Sequence, residues 1–314
     1  MDRINQKNIL KTNLAGFELK NPIMTASGTF GYADEYSDFL DTEKLGAVVT
    51  KAITLFPREG NNHTRVLETP GGMINSIGLE NVGIHKFFEE KYPILKEKNI
   101  EFVMNLAGST QEEYVELARI CQKQKIKAVE INISCPNVKS GCMEFGVKED
   151  SLTNLIKAVR QEFQGCLIVK LTPNVTSIEK MGLAAQKAGA DVLSAINTVK
   201  ALGLRLEFNG GKIKKNMIQG GMSGKAIKPI ALGAVHRLSK TVDIPIIGMG
   251  GIYCLDDILE FFAVGAEAVQ VGTANFTHPD VSECLINELA LFMNENGYID
   301  ILDLKKDLRG ALNE

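Results

Sequence analysis

A chain of 314 residues that is 45% hydrophobic and 23% charged has the composition of a folded globular protein. Its net charge of −3 offers no general attraction to nucleic acid or to an anionic membrane, and no apolar run approaches the roughly 20 residues of a spanning helix. The six cysteines form no Cys-x-x-Cys pair and match no zinc or iron–sulfur spacing, so no metal site is expected. The first seven residues have no apolar signal core, and the thiols read as free, as in a cytoplasmic protein.

In chain order, residues 8–20 alternate around Ala15-Gly16 and predict a small hairpin placed to cap a barrel floor. Short apolar strands are then expected at 22–26, 47–50, 102–105, 128–133, 167–171, 192–196, 245–248 and 268–271. Helical periodicity falls between most of them, at 111–123, 151–163, 178–188, 229–238 and 255–264. Pro229 suits a first helical turn, where its missing N–H is no loss, and Gly189 and Gly265 sit where helices should stop.

Eight strands alternating with helices predict a (β/α)8 TIM barrel, one domain over residues 1–314. The N-terminal hairpin and two long insertions, 54–82 and 198–225, stand outside the repeat, the insertions as loops on the upper face. A doubly wound sheet would show Gly-x-Gly-x-x-Gly after its first strand, and none is present. The run 220–225 fails the phosphate-loop pattern, since Gln219 holds the first Gly position and Ala226 follows the Lys.

In such a barrel chemistry is done at the carboxyl ends of the strands. Those ends deliver Ser27 and Gly28, Lys51, Asn105, Asn132 with Cys135, Lys170, Asn197-Thr198, Gly250-Gly251 and Gly272-Thr273. Gly250-Gly251 and Gly272-Thr273, after the last two strands, predict a phosphate site. The lysines suit a cofactor whose ring gains electrons, Lys170 balancing the charge of a reduced flavin. Cys135, between two carboxamides, is a thiol able to take up or give a proton, and Asn side chains can hold an amide-rich ring without adding charge.

Together the segments 21–28, 50–51, 75–81, 132–137 with Gly146, 170–174, 220–224, 248–252 and 271–273 resemble class 1 dihydroorotate dehydrogenases, and specifically the class 1B catalytic subunit. The resemblance runs nearly end to end, with Cys142 and Lys225 departing from the family pattern. It implies an FMN-containing barrel oxidising dihydroorotate to orotate in pyrimidine synthesis. Cys135 would take the C5 proton and the C6 hydride would pass to FMN N5. Orotate would meet Lys51, Asn75, Ser76, Ile77, Gly78, Leu79, Asn132, Asn137, Asn197 and Thr198. FMN would meet Ser27, Lys51, Asn105, Asn132, Lys170, Ile196 and Gly224, with Gly250, Gly251, Gly272 and Thr273 on its phosphate.

The same resemblance implies a partner subunit carrying FAD and a 2Fe-2S cluster that passes electrons to NAD+, in a heterotetramer built on a homodimer of this chain. Other readings are a fumarate-dependent, class 1A-like enzyme, a flavin reductase of another pyrimidine, a flavin-free phosphate-binding barrel, and a non-catalytic binding subunit.

Overall fold

The structure, a computed structural model, describes residues 9–62, 64–133 and 145–312. Cys135, Asn137 and Cys142 lie outside the described residues.

The chain opens with β1 (Thr12–Leu14) and β2 (Phe17–Leu19), an antiparallel pair joined by a tight turn at Ala15 and Gly16, both at positive φ. Eight parallel strands then close into a barrel: β3 (Ile23–Thr25), β4 (Ala47–Val49), β7 (Phe102–Leu106), β8 (Ala128–Asn132), β9 (Cys166–Leu171), β10 (Val192–Ala195), β13 (Ile246–Met249) and β14 (Ala268–Val271). Around the barrel they follow in chain order, β14 pairing with β3 to close it. The predicted (β/α)8 architecture is the observed one, with every expected strand present.

Both insertions hold strands rather than open loop. β5 (Val66–Thr69) and β6 (Gly72–Asn75) come from the first, β11 (Val199–Asn209) and β12 (Lys212–Ser223) from the second. They pair with each other into one antiparallel sheet, β11-β12-β6-β5, with Gly221 opposite Asn75. Segments 146 residues apart at the Gly221–Asn75 pair are thereby tied together over the mouth of the barrel, and this pairing sets where Asn75 sits.

The helices form along apolar stripes, and some also have a capped start. A short helix α1 (Tyr92–Glu97) follows a π-helical turn. In α2 (Gln111–Lys123), the Thr110 side chain accepts from the Glu113 amide, and Tyr114, Leu117, Ala118 and Cys121 make the buried stripe. In α3 (Glu149–Glu162) the stripe is Leu152, Leu155, Ile156 and Val159. This helix begins two residues before the expected start because Glu149 and Asp150 supply an acidic first turn. The ring continues with α4 (Ile178–Lys187), α5 (Lys228–Ser239) and α6 (Leu255–Ala263), and ends with α7 (Val281–Glu295) and α8 (Ile301–Ala311).

The barrel interior is divided by polarity. Its lower part is apolar: Met24, Ala47, Val49, Val103, Ala128, Ile168, Val192, Ile247 and Ala268 pack in one cluster with Leu14, Phe17 and Leu19 of the hairpin. The hairpin thus closes the floor, as its sequence predicted. Its three apolar residues are at most 5% exposed, and each contributes on the order of 2 kcal/mol by burial. Above this layer the inward side chains become polar: Asn105, Glu130, Lys170, Ser194 and Gln270, all buried.

Candidate active site

A cavity of about 930 Å³ opens at the carboxyl ends of the barrel strands, under the β11-β12-β6-β5 sheet. That volume suits a cofactor and a small substrate together. It is lined by Ser27, Lys51, Asn75 through Leu79, Asn132, Lys170, Ile196, Asn197, Thr198, Gly224, Gly250, Gly251, Gly272 and Thr273. Of the described residues expected from sequence, only Asn105 is missing from this lining. Its side chain is fully buried below the cavity, where Nδ2 donates to Glu130 Oε1 at 2.6 Å.

The carboxamides converge. Asn197 Nδ2 donates to Asn132 Oδ1 at 3.3 Å, and Asn197 Oδ1 accepts from the Thr198 amide at 2.8 Å. The Asn132 carbonyl accepts from the Tyr114 hydroxyl at 2.7 Å, tying the end of β8 to α2. Across the cavity Asn75 Nδ2 donates to the Gly221 carbonyl at 3.2 Å. Lys51 lies 4.0 Å from Glu80, which is itself held by Arg65 at 2.5 Å. Lys170 is almost wholly buried, with Nζ 3.1 Å from Ser27 Oγ and 3.3 Å from Glu130 Oε1.

One wall is bare backbone. Gly251 has φ +78, and a Cβ there would stand 2.7 Å from Lys228 Cβ and 3.0 Å from the Lys228 nitrogen, so glycine is required for close approach to α5. At Gly272 the situation is reversed. A Cβ would make only ordinary contacts, 3.4 Å from Ala26 Cβ, so packing does not demand glycine. The absence of a side chain at Gly272 keeps the cavity wall open.

Behind this wall Asp257 Oδ2 accepts from the Tyr253 and Cys254 amides while Oδ1 accepts from Lys228 Nζ at 2.6 Å. Burial alone would raise the Asp257 carboxyl, but the Lys228 ammonium and the two amides outweigh it and hold it below the usual carboxylate range. Hydrogen bonds to Asp257 and Glu260 push the Lys228 ammonium upward.

Gln270 lines the cavity and was not anticipated from sequence. Its Nε2 donates to Glu130 Oε2 at 2.9 Å, while its buried Oε1 has no partner among the described residues. A buried acceptor left over at a cavity wall suits a ligand that brings an N–H group. The readable signal was its position: Gln270, Glu130 and Ser194 are polar residues at inward positions of otherwise apolar strands.

A closed parallel barrel whose strand ends gather a bare-backbone wall, two lysines and facing carboxamides around one cavity is a ligand-binding α/β barrel. The family model for dihydroorotate dehydrogenase matches residues 9–293, and the chain belongs to that family. It is 46% identical over 304 residues, covering 96% of this chain and 98% of the relative, to a dihydroorotate dehydrogenase B (NAD(+)), catalytic subunit, of Geotalea uraniireducens. Proteins of the same name from Pelobacter propionicus and Porphyromonas gingivalis are 47% and 44% identical, covering 94% and 95% of this chain and 97% and 95% of those relatives. Among the described residues no helix is long and apolar enough to cross a membrane.

Proposed function

We propose that this chain oxidises dihydroorotate to orotate in pyrimidine biosynthesis, with FMN held in the cavity, and acts in the cytoplasm as the catalytic subunit of a class 1B enzyme. The observation that carries the reading is the meeting of Asn75, Asn132, Asn197, Lys51 and Lys170 in one cavity beside the glycine wall. Orotate is a planar ring of alternating amide donors and acceptors with one carboxylate. Carboxamides match its edges without adding charge, and Lys51 offers the carboxylate a cation.

The residues present suit FMN. Gly250, Gly251, Gly272 and Thr273 would hold its phosphate. Lys170, Ser27 and the unpartnered Gln270 Oε1 would meet the polar edge of its ring, Ile196 and Gly224 its flat faces. Bound there, FMN supplies the acceptor for the hydride that leaves substrate C6. Cys135 would remove the C5 proton as its base, and Asn137 would join the carboxamides on the substrate. Electrons would leave through a second subunit carrying FAD and a 2Fe-2S cluster, which reduces NAD+, in a heterotetramer on a homodimer core.

The test is anaerobic addition of dihydroorotate to the purified yellow protein while its flavin spectrum is recorded. Bleaching is expected, and Cys135→Ala should slow it by roughly 100-fold or more, the usual scale for loss of a general base. A yellow protein that stays oxidised would sink the substrate assignment. A colourless one that cannot be loaded with FMN would sink the flavin as well.

A further inference from the structure

The polar layer beneath the cavity centres on a group that the reading above leaves without a task. Glu130 has no exposed surface. Its Oε1 accepts from Asn105 Nδ2 at 2.6 Å and Lys170 Nζ at 3.3 Å. Its Oε2 accepts from Ser194 Oγ at 2.7 Å and Gln270 Nε2 at 2.9 Å. These donors come from β7, β9, β10 and β14. β14 stands opposite β8 in the barrel order, so the carboxylate reaches the barrel axis.

Burying a charge is costly, and apolar side chains would fill the same layer without that cost. An ionised carboxylate only accepts, and here two oxygens meet four donors. The arrangement therefore has a purpose other than packing. Of the four donors, Lys170 and Gln270 also line the cavity. Glu130 thus holds from below the two side chains that present a cation and a free carbonyl oxygen to a ligand.

We propose that Glu130 is a positioning residue that keeps the buried Lys170 ammonium seated against the ligand, and through it sets the reduction potential of the bound flavin. This rests on the FMN reading above. A buried ammonium that loses its anionic partner is an uncompensated charge and leaves its seat for another acceptor. Among the described residues Lys170 has an ion pair with Glu130 alone. Among the described residues the other charged groups on the cavity wall are Lys51 after β4, Glu80 in the first insertion and Lys200 on β11. With Glu130 in place, Lys170 Nζ is held within 3.1 Å of Ser27 Oγ, at the edge where a flavin reduced by two electrons and one proton would carry its negative charge. Without Glu130 that cation is no longer held there, and the reduced ring would lose the charge opposite it.

The experiment is a dithionite titration of the FMN-loaded protein with indicator dyes at neutral pH. The midpoint potential of Glu130→Gln should lie below that of the wild type, because the negatively charged reduced ring loses a seated cation. In a Lys170→Met background the Glu130→Gln change should have no effect on the potential, because the two residues act through one another. A yellow Glu130→Gln protein with the wild-type potential overturns the proposal. So does an effect that persists without Lys170. If Glu130→Gln alone does not fold, Lys170→Met and the double variant are compared, since removing both charges is milder than leaving one buried alone. A difference between their potentials overturns the proposal, and matching potentials below that of the wild type support it. A wild type that takes up no FMN overturns the flavin reading and this proposal together, whereas a yellow wild type beside an unaltered variant overturns this proposal alone.

Discussion

The Asn197 carboxamide uses both ends: its oxygen fixes the Thr198 amide and its nitrogen meets Asn132. On the proposed reading, Asn197→Ala would remove a contact to the substrate ring and loosen the neighbouring Asn132. With about 1 kcal/mol for each hydrogen bond, the Michaelis constant for dihydroorotate should rise roughly ten-fold, read from steady-state kinetics with a dye acceptor. Asp257 acts on the opposite wall. Its folded carboxyl is held below the ordinary value, so the stability it contributes is present above about pH 4 and lost as the pH falls through the lowered value. Asp257→Asn should cost about 1–3 kcal/mol near neutrality, with the gap to wild type closing in acid, measured by urea unfolding at a series of pH values. The rim side chains were legible because strand ends expose chain-order polarity directly. Glu130, Ser194 and Gln270 were not, because their roles depend on contacts across the barrel between strands far apart in sequence. Asn105 was legible as polar but lies one layer too deep to line the cavity.

Elements follow the same division between local and distant causes. α2, α4 and the hairpin β1-β2 were readable because a cap, a stripe or a turn is written within a dozen residues. β11 was not. Leu202, Leu204, Leu206 and Phe208 alternate as a buried face would, yet all four are exposed, while Gly203 is buried against Leu67, Ile74 and Ile218. Alternation marks a strand but not which face is covered; the side chains packed against it, Leu67 of β5, Ile74 of β6 and Ile218 of β12, decide that. The hairpin allows a direct measurement of what a floor is worth. Phe17 packs among the lower interior residues and is 5% exposed. Phe17→Ala should destabilise the fold by about 3–5 kcal/mol, seen as a lower urea midpoint. A loss under 1 kcal/mol would show that the barrel closes without its hairpin.

At the scale of the molecule, all eight barrel strands run parallel, so every carboxyl end reaches one rim and one cavity receives side chains from the whole length of the chain. On the reading proposed above, substrate and flavin would share that one cavity. The sequence has no Gly-x-Gly-x-x-Gly after a strand and no cysteine spacing for a 2Fe-2S cluster. On the proposed reading, electrons collected at the rim would pass to an acceptor from outside the chain. The purified chain should oxidise dihydroorotate with a small dye as acceptor and should show no more than about a hundredth of that rate with NAD+, a gap of roughly 3 kcal/mol in barrier. Adding a subunit that carries FAD and a 2Fe-2S cluster should restore NADH formation, followed by absorbance. Rapid NAD+ reduction by the chain alone would mean that the dinucleotide reaches the flavin directly, and the two-subunit relay would fall. Rapid turnover with fumarate and none with NAD+ even after the second subunit is added would place the chain's electron transfer with the class 1A enzymes.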